Sequence, residues 1–154
     1  MRATRIAVLT IDLGANDLLG HLGSPTCRAN IRGAECAARI DAAIDTFEVN
    51  IASILDQLKP RIEPGTEFYV MTIYNPFDFG IGIPFEADSN EIIGGMNATL
   101  KAEAARVGAK VADAYPLMSG NAAVWTHMLT QSDIHPTADG YQALPFAFAQ
   151  ARDN

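Results

Sequence analysis

The sequence predicts an α/β fold in which helices pack on the faces of a parallel sheet. Three observations carry this expectation. Runs of apolar and β-branched residues alternate with segments of helical periodicity, giving the order strand, helix, strand, helix, strand, helix. That order favours parallel strands joined by crossover helices. The strands close on turn-forming residues, as at Asn75-Pro76. The chain has 154 residues, 49% of them hydrophobic and 19% charged, which suffices for one domain with a core of its own.

The first strand is expected over residues 6–11, a continuous apolar run ending at Asp12 and a Gly-Ala-Asn-Asp turn, and it reads as buried on both faces. Residues 19–32 read as irregular. Ile40, Ile44, Phe47, Ile51, Leu55 and Leu58 recur at spacings of three and four, so a long helix is expected to stop at Pro60. A second strand is expected over 67–74. The stretch 75–87, rich in Gly, Pro and Phe, reads as a loop long enough to be functional. Asp88 and Glu91 have the spacing of a capping box, which would start a helix running through Met96, Leu100 and Ala104 to Gly108. A short strand at 109–113 follows. The last helix is expected after Pro136 and Thr137, with Tyr141, Leu144 and Phe148, and with Pro145 either kinking it or confining it to its ends.

Eleven Lys and Arg against eighteen Asp and Glu give a net charge of -7, and the basic residues Arg2, Arg5, Arg28, Arg32, Arg39, Lys59 and Arg61 form no stripe. Such a surface repels a phosphate backbone, so nucleic acid is not an expected partner. No run approaches the roughly 20 apolar residues of a membrane span. The start of the chain carries arginines but no small-residue cleavage site, and is not read as a signal peptide. Three strands make a poor parallel sheet, because a first strand this apolar expects a neighbour on each side. The expectation is a domain truncated before Met1.

Two clusters can carry chemistry. Gly14-Ala-Asn-Asp17 sits at the C-terminal end of the first strand, where ligands bind in α/β sheets. Gly14 would let backbone approach a substrate and the Asn16 amide could donate to an oxyanion, with Asp17 supporting the loop. The plainer reading is a turn in which Asn16 and Asp17 satisfy local backbone groups. The second cluster is Asp133-Ile-His135-Pro-Thr137 ahead of the last helix. There His135 is placed as a general base with Asp133 as its orienting partner. The plainer reading makes Asp133 or Thr137 a helix cap and His135 an ordinary loop residue.

Together, GAND after a strand and DIHPTADGY about 120 residues later resemble blocks III and V of the SGNH hydrolases, the GDSL esterase and lipase family. Residues 50–55, the strand end Tyr74-Asn-Pro-Phe77 and the Gly140-Tyr141 pair are similar to secreted bacterial members, so the resemblance spans nearly the whole chain. It implies a flavodoxin-like three-layer α/β/α sandwich and ester hydrolysis by a serine nucleophile. Asn16 would match the oxyanion-hole asparagine and His135 the base. Two departures stand out. The family's GDS motif and its second oxyanion glycine lie upstream of the asparagine block, and neither motif occurs here. Ser24, Ser53, Ser89, Ser119 and Ser132 do not follow a predicted strand at a strand-to-helix turn, although Ser24 and Ser119 lie in loops. The family's acid also stands three residues before the histidine, where this chain has Ser132, so a backbone carbonyl is the alternative to Asp133.

The resemblance to exported enzymes favours a disulfide between Cys27 and Cys36, which would go with secretion; two reduced thiols of a cytoplasmic protein are the alternative. No HxxxH or CxxC spacing points to a metal, and Gly80-Ile-Gly82 and Gly94-Gly95 lack the context of a phosphate loop, so no cofactor is expected. The apolar loop 77–85, and Trp125 and Met128, could line an acyl pocket or simply cover the helix layer. The expected function is thus a serine ester hydrolase acting on a small-molecule ester or lipid, weakly active or inactive without its serine. The alternative is a non-catalytic lipid- or glycan-binding module of the same fold. An uncovered edge on the first strand predicts self-association.

Overall fold

The computed structural model describes residues 6–153; Arg2, Arg5 and the rest of the start of the chain lie outside the described residues. Strand β1 (Val8–Asp12) leads into α1 (Ala15–Leu22), α2 (Pro25–Ala29) and the long α3 (Ala34–Leu58). A single 3-10 turn, Lys59–Arg61, absorbs Pro60 at the end of α3, where the sequence expects the helix to stop. Strand β2 (Glu67–Met71), α4 (Pro84–Val107) and β3 (Lys110–Ala112) complete the alternation, and α5 (Ala114–Met118), α6 (Ala122–Trp125), α7 (Met128–Gln131) and α8 (Ala138–Asp153) follow.

The sheet has the order β1-β2-β3, all parallel, with Val8 opposite Glu67 and Tyr69 opposite Lys110. Helices cover both faces, as an α/β sandwich requires. On one face Phe47, Ile51 and Leu55 of α3 and Ile93, Met96 and Leu100 of α4 pack with Phe68 and Val70 of the central strand. On the other, Ala147 and Ala151 of α8 close over Tyr69, Met71 and Ala112, with Phe148 edge-on to Tyr69 at a centroid distance of 5.9 Å.

β1 departs from its expected double burial. Its residues alternate between exposed and half-buried, and Val8 is 50% exposed. The cause is position: β1 pairs only with β2 among the described residues, and α8 reaches across β2 and β3. The apolar run therefore meets solvent on the α8 side, with one row of its backbone groups unpaired among the described residues.

Other differences have local causes. β2 ends at Met71 because the side chain of Asn97 takes over the pairing. Its Oδ1 accepts from the Ile73 N–H and its Nδ2 donates to the Ile73 carbonyl, each at 2.8 Å. The Gly-Ala-Asn-Asp segment starts a helix instead of forming a turn, and residues 19–32 are largely helical, with Ser24 capping α2 through the Cys27 N–H. Asp88 and Glu91 cap nothing. α4 starts four residues earlier at Pro84, a residue preorganised for the first helical position, and both carboxylates pair with Arg32. α8 runs through Pro145 to its end, the helix interior tolerating the lost N–H on a face where Tyr141 is 56% exposed.

Cys27 and Cys36 are joined in a disulfide, Cα to Cα 5.0 Å, that clamps α2 to the first turn of α3. No helix among the described residues is long and apolar enough to cross a membrane.

Candidate active site

Gly14 sits where no other residue fits. Its φ is +100°, and a Cβ there would stand 2.5 Å from the Phe47 ring and 2.9 Å from Ile73 Cδ1. This close approach lets β1 turn directly into α1, whose Leu18 and Leu22 are fully buried, and leaves Asn16 and Asp17 facing outward in the first turn. Neither side chain forms a hydrogen bond with a described residue, so the plainer reading of them as local turn-makers does not describe their side chains. The Asn16 amide keeps both N–H groups available. The Asp17 charge lies in the first turn of α1, where a helix favours an anion.

The second cluster is positioned by hydrogen bonds. Thr126 and Pro136 form an isolated antiparallel bridge, the His127 N–H donates to the His135 carbonyl at 3.0 Å, and the Thr137 N–H donates to the Trp125 carbonyl at 2.9 Å. Beneath this loop α8 presses on α6 through Gly140, where a Cβ would lie 2.1 Å from the Trp125 carbonyl oxygen. Thr137 Oγ1 accepts from the Gly140 N–H at 3.2 Å and caps α8. Asp133 does not cap. Its Oδ1 accepts from the His135 N–H at 3.1 Å and lies 2.5 Å from His135 Nδ1. The left-handed Ser132 (φ 53°) turns the chain after α7, and Asp133 then reaches its neighbour two residues on as in an Asx turn. That geometry brings a carboxylate only two residues before the histidine onto its ring. The backbone N–H of His135, and then its ring, hold the Asp133 carboxyl below the usual carboxylate range.

The two clusters meet across a cleft of about 230 Å³ at the C-terminal end of the sheet, lined among others by Asp12, Gly14, Asn16, Asp17, Tyr74 and His135. His135 keeps 67% of its side chain exposed, with Nδ1 on Asp133. Sequence reasoning missed two of the lining residues. Tyr74, just past β2, donates from its hydroxyl to the Ile134 carbonyl at 2.9 Å and ties the histidine loop to the sheet. Burial, then the nearby Asp12 carboxylate, pushes its phenol well above its ordinary range, so it stays a donor. Asp12 keeps solvent access at the cleft mouth, yet partial desolvation raises its carboxyl. Both sit at strand C-termini, the positional signal that singles out Gly14 and Asn16.

No serine lines this cleft. Ser24 caps α2, Ser53 meets Gln57 on α3, Ser89 is buried against Asn75, Ser119 donates to Asp78, and Ser132 lines a different groove.

Comparison with known proteins agrees with this architecture. The model of the GDSL-like lipase/acylhydrolase family matches residues 2–143. No curated protein matches the sequence. Among solved structures, the chain is similar to LAE5, an alpha/beta hydrolase enzyme from the metagenome of Lake Arreo, Spain, with a TM-score of 0.60 and 15% identity over 94% of this chain and 59% of that one. It is similar also to Axe2, an acetylxylan esterase from Geobacillus stearothermophilus, with a TM-score of 0.61 and 14% identity over 94% of this chain and 58% of that one. At these identities the likeness speaks for the fold, and the chain spans under two thirds of either structure. With the family model covering nearly all of its length, the chain belongs to the GDSL-like lipase/acylhydrolase family.

Proposed function

We propose that these residues form the base and half of the oxyanion hole of a serine ester hydrolase, and that the nucleophilic serine comes from polypeptide outside the 154 residues. The observation that carries this reading is one cleft holding a histidine with Nδ1 on a carboxylate and, opposite, an asparagine amide with no partner among the described residues. In the reaction, His135 Nε2 takes the proton of the serine hydroxyl as its oxygen attacks the ester carbonyl, then returns it to the leaving alcohol. Asp133 keeps the ring oriented and offsets the charge it gains. Asn16 donates to the oxyanion, a contribution of about 3 kcal/mol for one such donor. The edge of β1, unpaired among the described residues, would let a strand of such a polypeptide pair, and the disulfide between Cys27 and Cys36 is consistent with export. Alone, the chain keeps at most the roughly 10³ to 10⁴-fold advantage over water that binding and oxyanion stabilisation leave when the nucleophile is gone.

A fluorophosphonate probe tests the assignment. The 154-residue chain is expected to remain unlabelled, and an extended chain whose upstream frame encodes a strand and a GDS motif is expected to label and to hydrolyse p-nitrophenyl acetate until His135→Ala removes the base. Efficient labelling of the 154-residue chain would overturn the missing-serine reading. A stop codon and promoter directly upstream of Met1 would instead favour a lipid- or glycan-binding module.

A further inference from the structure

A second groove, of about 330 Å³, lies between the loop that follows β2 and α7. One wall carries Phe77, Phe79, Ile83 and Phe85, the other Met128 and Leu129. The side chains of both walls are apolar, although polar atoms make up nearly half of the groove's lining surface, and they reach solvent: Ile83 is 41% and Leu129 62% exposed. It is also built in advance. The Phe77 and Phe85 rings meet edge to face at 5.5 Å, and the buried Glu86 carboxylate accepts the N–H groups of Phe79 at 2.9 Å, Ile81 at 3.3 Å and Gly82 at 2.6 Å, fixing the loop backbone from below.

Arg28 lines the same groove, in the last turn of α2. Every other described lysine or arginine has a partner: Arg32, Arg39, Lys101, Arg106 and Arg152 meet carboxylates, and Lys59, Arg61 and Lys110 meet backbone carbonyls. The Arg28 side chain alone forms no hydrogen bond or ion pair with a described residue, in a chain with seven excess negative charges available to neutralise it. The neighbouring Cys27 is disulfide-bonded to α3, which fixes α2 at this end of the groove. A trough with apolar side-chain walls and one forked cation at its rim, unpaired among the described residues, is complementary to a molecule with an apolar chain and a single anionic head. The volume falls at the small end of the roughly 300–1,000 Å³ typical of ligand pockets, which fits one short or medium chain and not a two-chain lipid.

We propose that this groove binds a medium-chain monocarboxylate, its carboxylate on the Arg28 guanidinium and its alkyl chain along Phe79, Ile83 and Leu129. The site shares no lining residue with the His135 cleft and stands whether or not that cleft catalyses.

Backbone amide NMR titrations of the 154-residue chain with decanoate, decanol and decyltrimethylammonium, each below its micellar concentration, test it. Decanoate is expected to bind tightest and to shift the amides of Arg28, Phe79, Ile83 and Leu129. Arg28→Gln should weaken decanoate about tenfold or more, the size of one lost charge-assisted hydrogen bond, and leave decanol unchanged. Leu129→Ser should weaken both, and Arg28→Lys should restore part of the decanoate affinity. Both positions are exposed, so an unchanged thermal midpoint shows that each variant is folded. Decyltrimethylammonium binding as tightly as decanoate, or decanoate indifferent to Arg28→Gln, would overturn the proposal. So would decanoate binding that disappears in His135→Ala, since the ligand would then sit in the other cleft.

Discussion

The two segments that face the cleft are held by different forces. The Gly14–Asp17 side is placed by packing: Gly14 lies against Phe47 and Ile73, and Leu18, Leu19 and Leu22 anchor the helix that follows. The side chains of Asn16 and Asp17 form no hydrogen bond with a described residue. The Asp133–Thr137 side is placed by hydrogen bonds from Tyr74, His127, Thr137 and Asp133 itself, and His135 stands largely in water. Packing errors propagate into the whole core, whereas a lost surface hydrogen bond disturbs its own loop. Under the proposed function the oxyanion donor must be rigid and the base must carry a ring that can accept and release a proton, and the two modes of support match those two demands.

The sharpest way to break this contrast is Gly14→Ala. A side chain at φ +100° and 2.5 Å from an aromatic carbon combines backbone strain with overpacking, about 3 kcal/mol or more together. Urea unfolding should show the loss as a global transition. Adding Phe47→Leu should recover the packing part and not the backbone part. If Gly14→Ala instead left the midpoint intact and altered only local exchange, the packing account of this segment would be wrong.

Removing the disulfide with Cys27→Ala and Cys36→Ala comes next. Opening a loop of nine-residue separation is expected to lower stability by about 2 to 3 kcal/mol in the chain-entropy model. The loss should again be global, because both cysteines are fully buried in the same cluster as Leu18 and Phe47. Amide exchange that sped up only in α2 would place the bridge outside the cooperative core.

Tyr74→Phe addresses the other segment. It deletes one hydrogen bond to the Ile134 carbonyl, a change of about 1 kcal/mol, and the faster exchange should be confined to residues 127–137. A uniform drop in protection across α3 and α4 would show that the histidine loop belongs to the core after all.

The same contrast explains which features are legible in the sequence. The α/β order is, because Ile40 through Leu58 and the apolar run before Asp12 follow their periods without interruption. The pairing of Asn16 with His135 across one cleft is foreshadowed by the two motifs, since each sits where a strand or loop opens toward a helix. The start of α4 is not, because Arg32, over 50 residues away, draws Asp88 and Glu91 into ion pairs and Pro84 sets the start unaided. α1 and α2 are hidden by Gly14, Asn16, Gly23 and Pro25, all turn formers in isolation. Their helical state depends on burying Leu18, Leu22 and Cys27, a tertiary gain that local propensity does not carry. Tyr74 reads as one more aromatic strand residue, and its tether to Ile134 spans 60 positions.

The smallest expected effect concerns Asp133. Its carboxyl is held below the ordinary value near 3.9, first by the backbone N–H of residue 135 and only then by the imidazole ring. A depressed carboxyl favours the folded loop above its unfolded value and loses that benefit as pH falls through the folded one, so the loop should begin to loosen only below about pH 4. His135→Ala removes the ring and leaves the backbone N–H. The carboxyl carbon of Asp133, followed by NMR titration, should therefore move only part of the way back toward its ordinary value, and the urea midpoint at neutral pH should not move. A complete return would mean that the ring, not the backbone, orders the carboxylate, and that Asp133 is free to swing away whenever His135 does. Partial return means that the carboxylate waits in place for the ring, as the orienting role proposed for Asp133 requires.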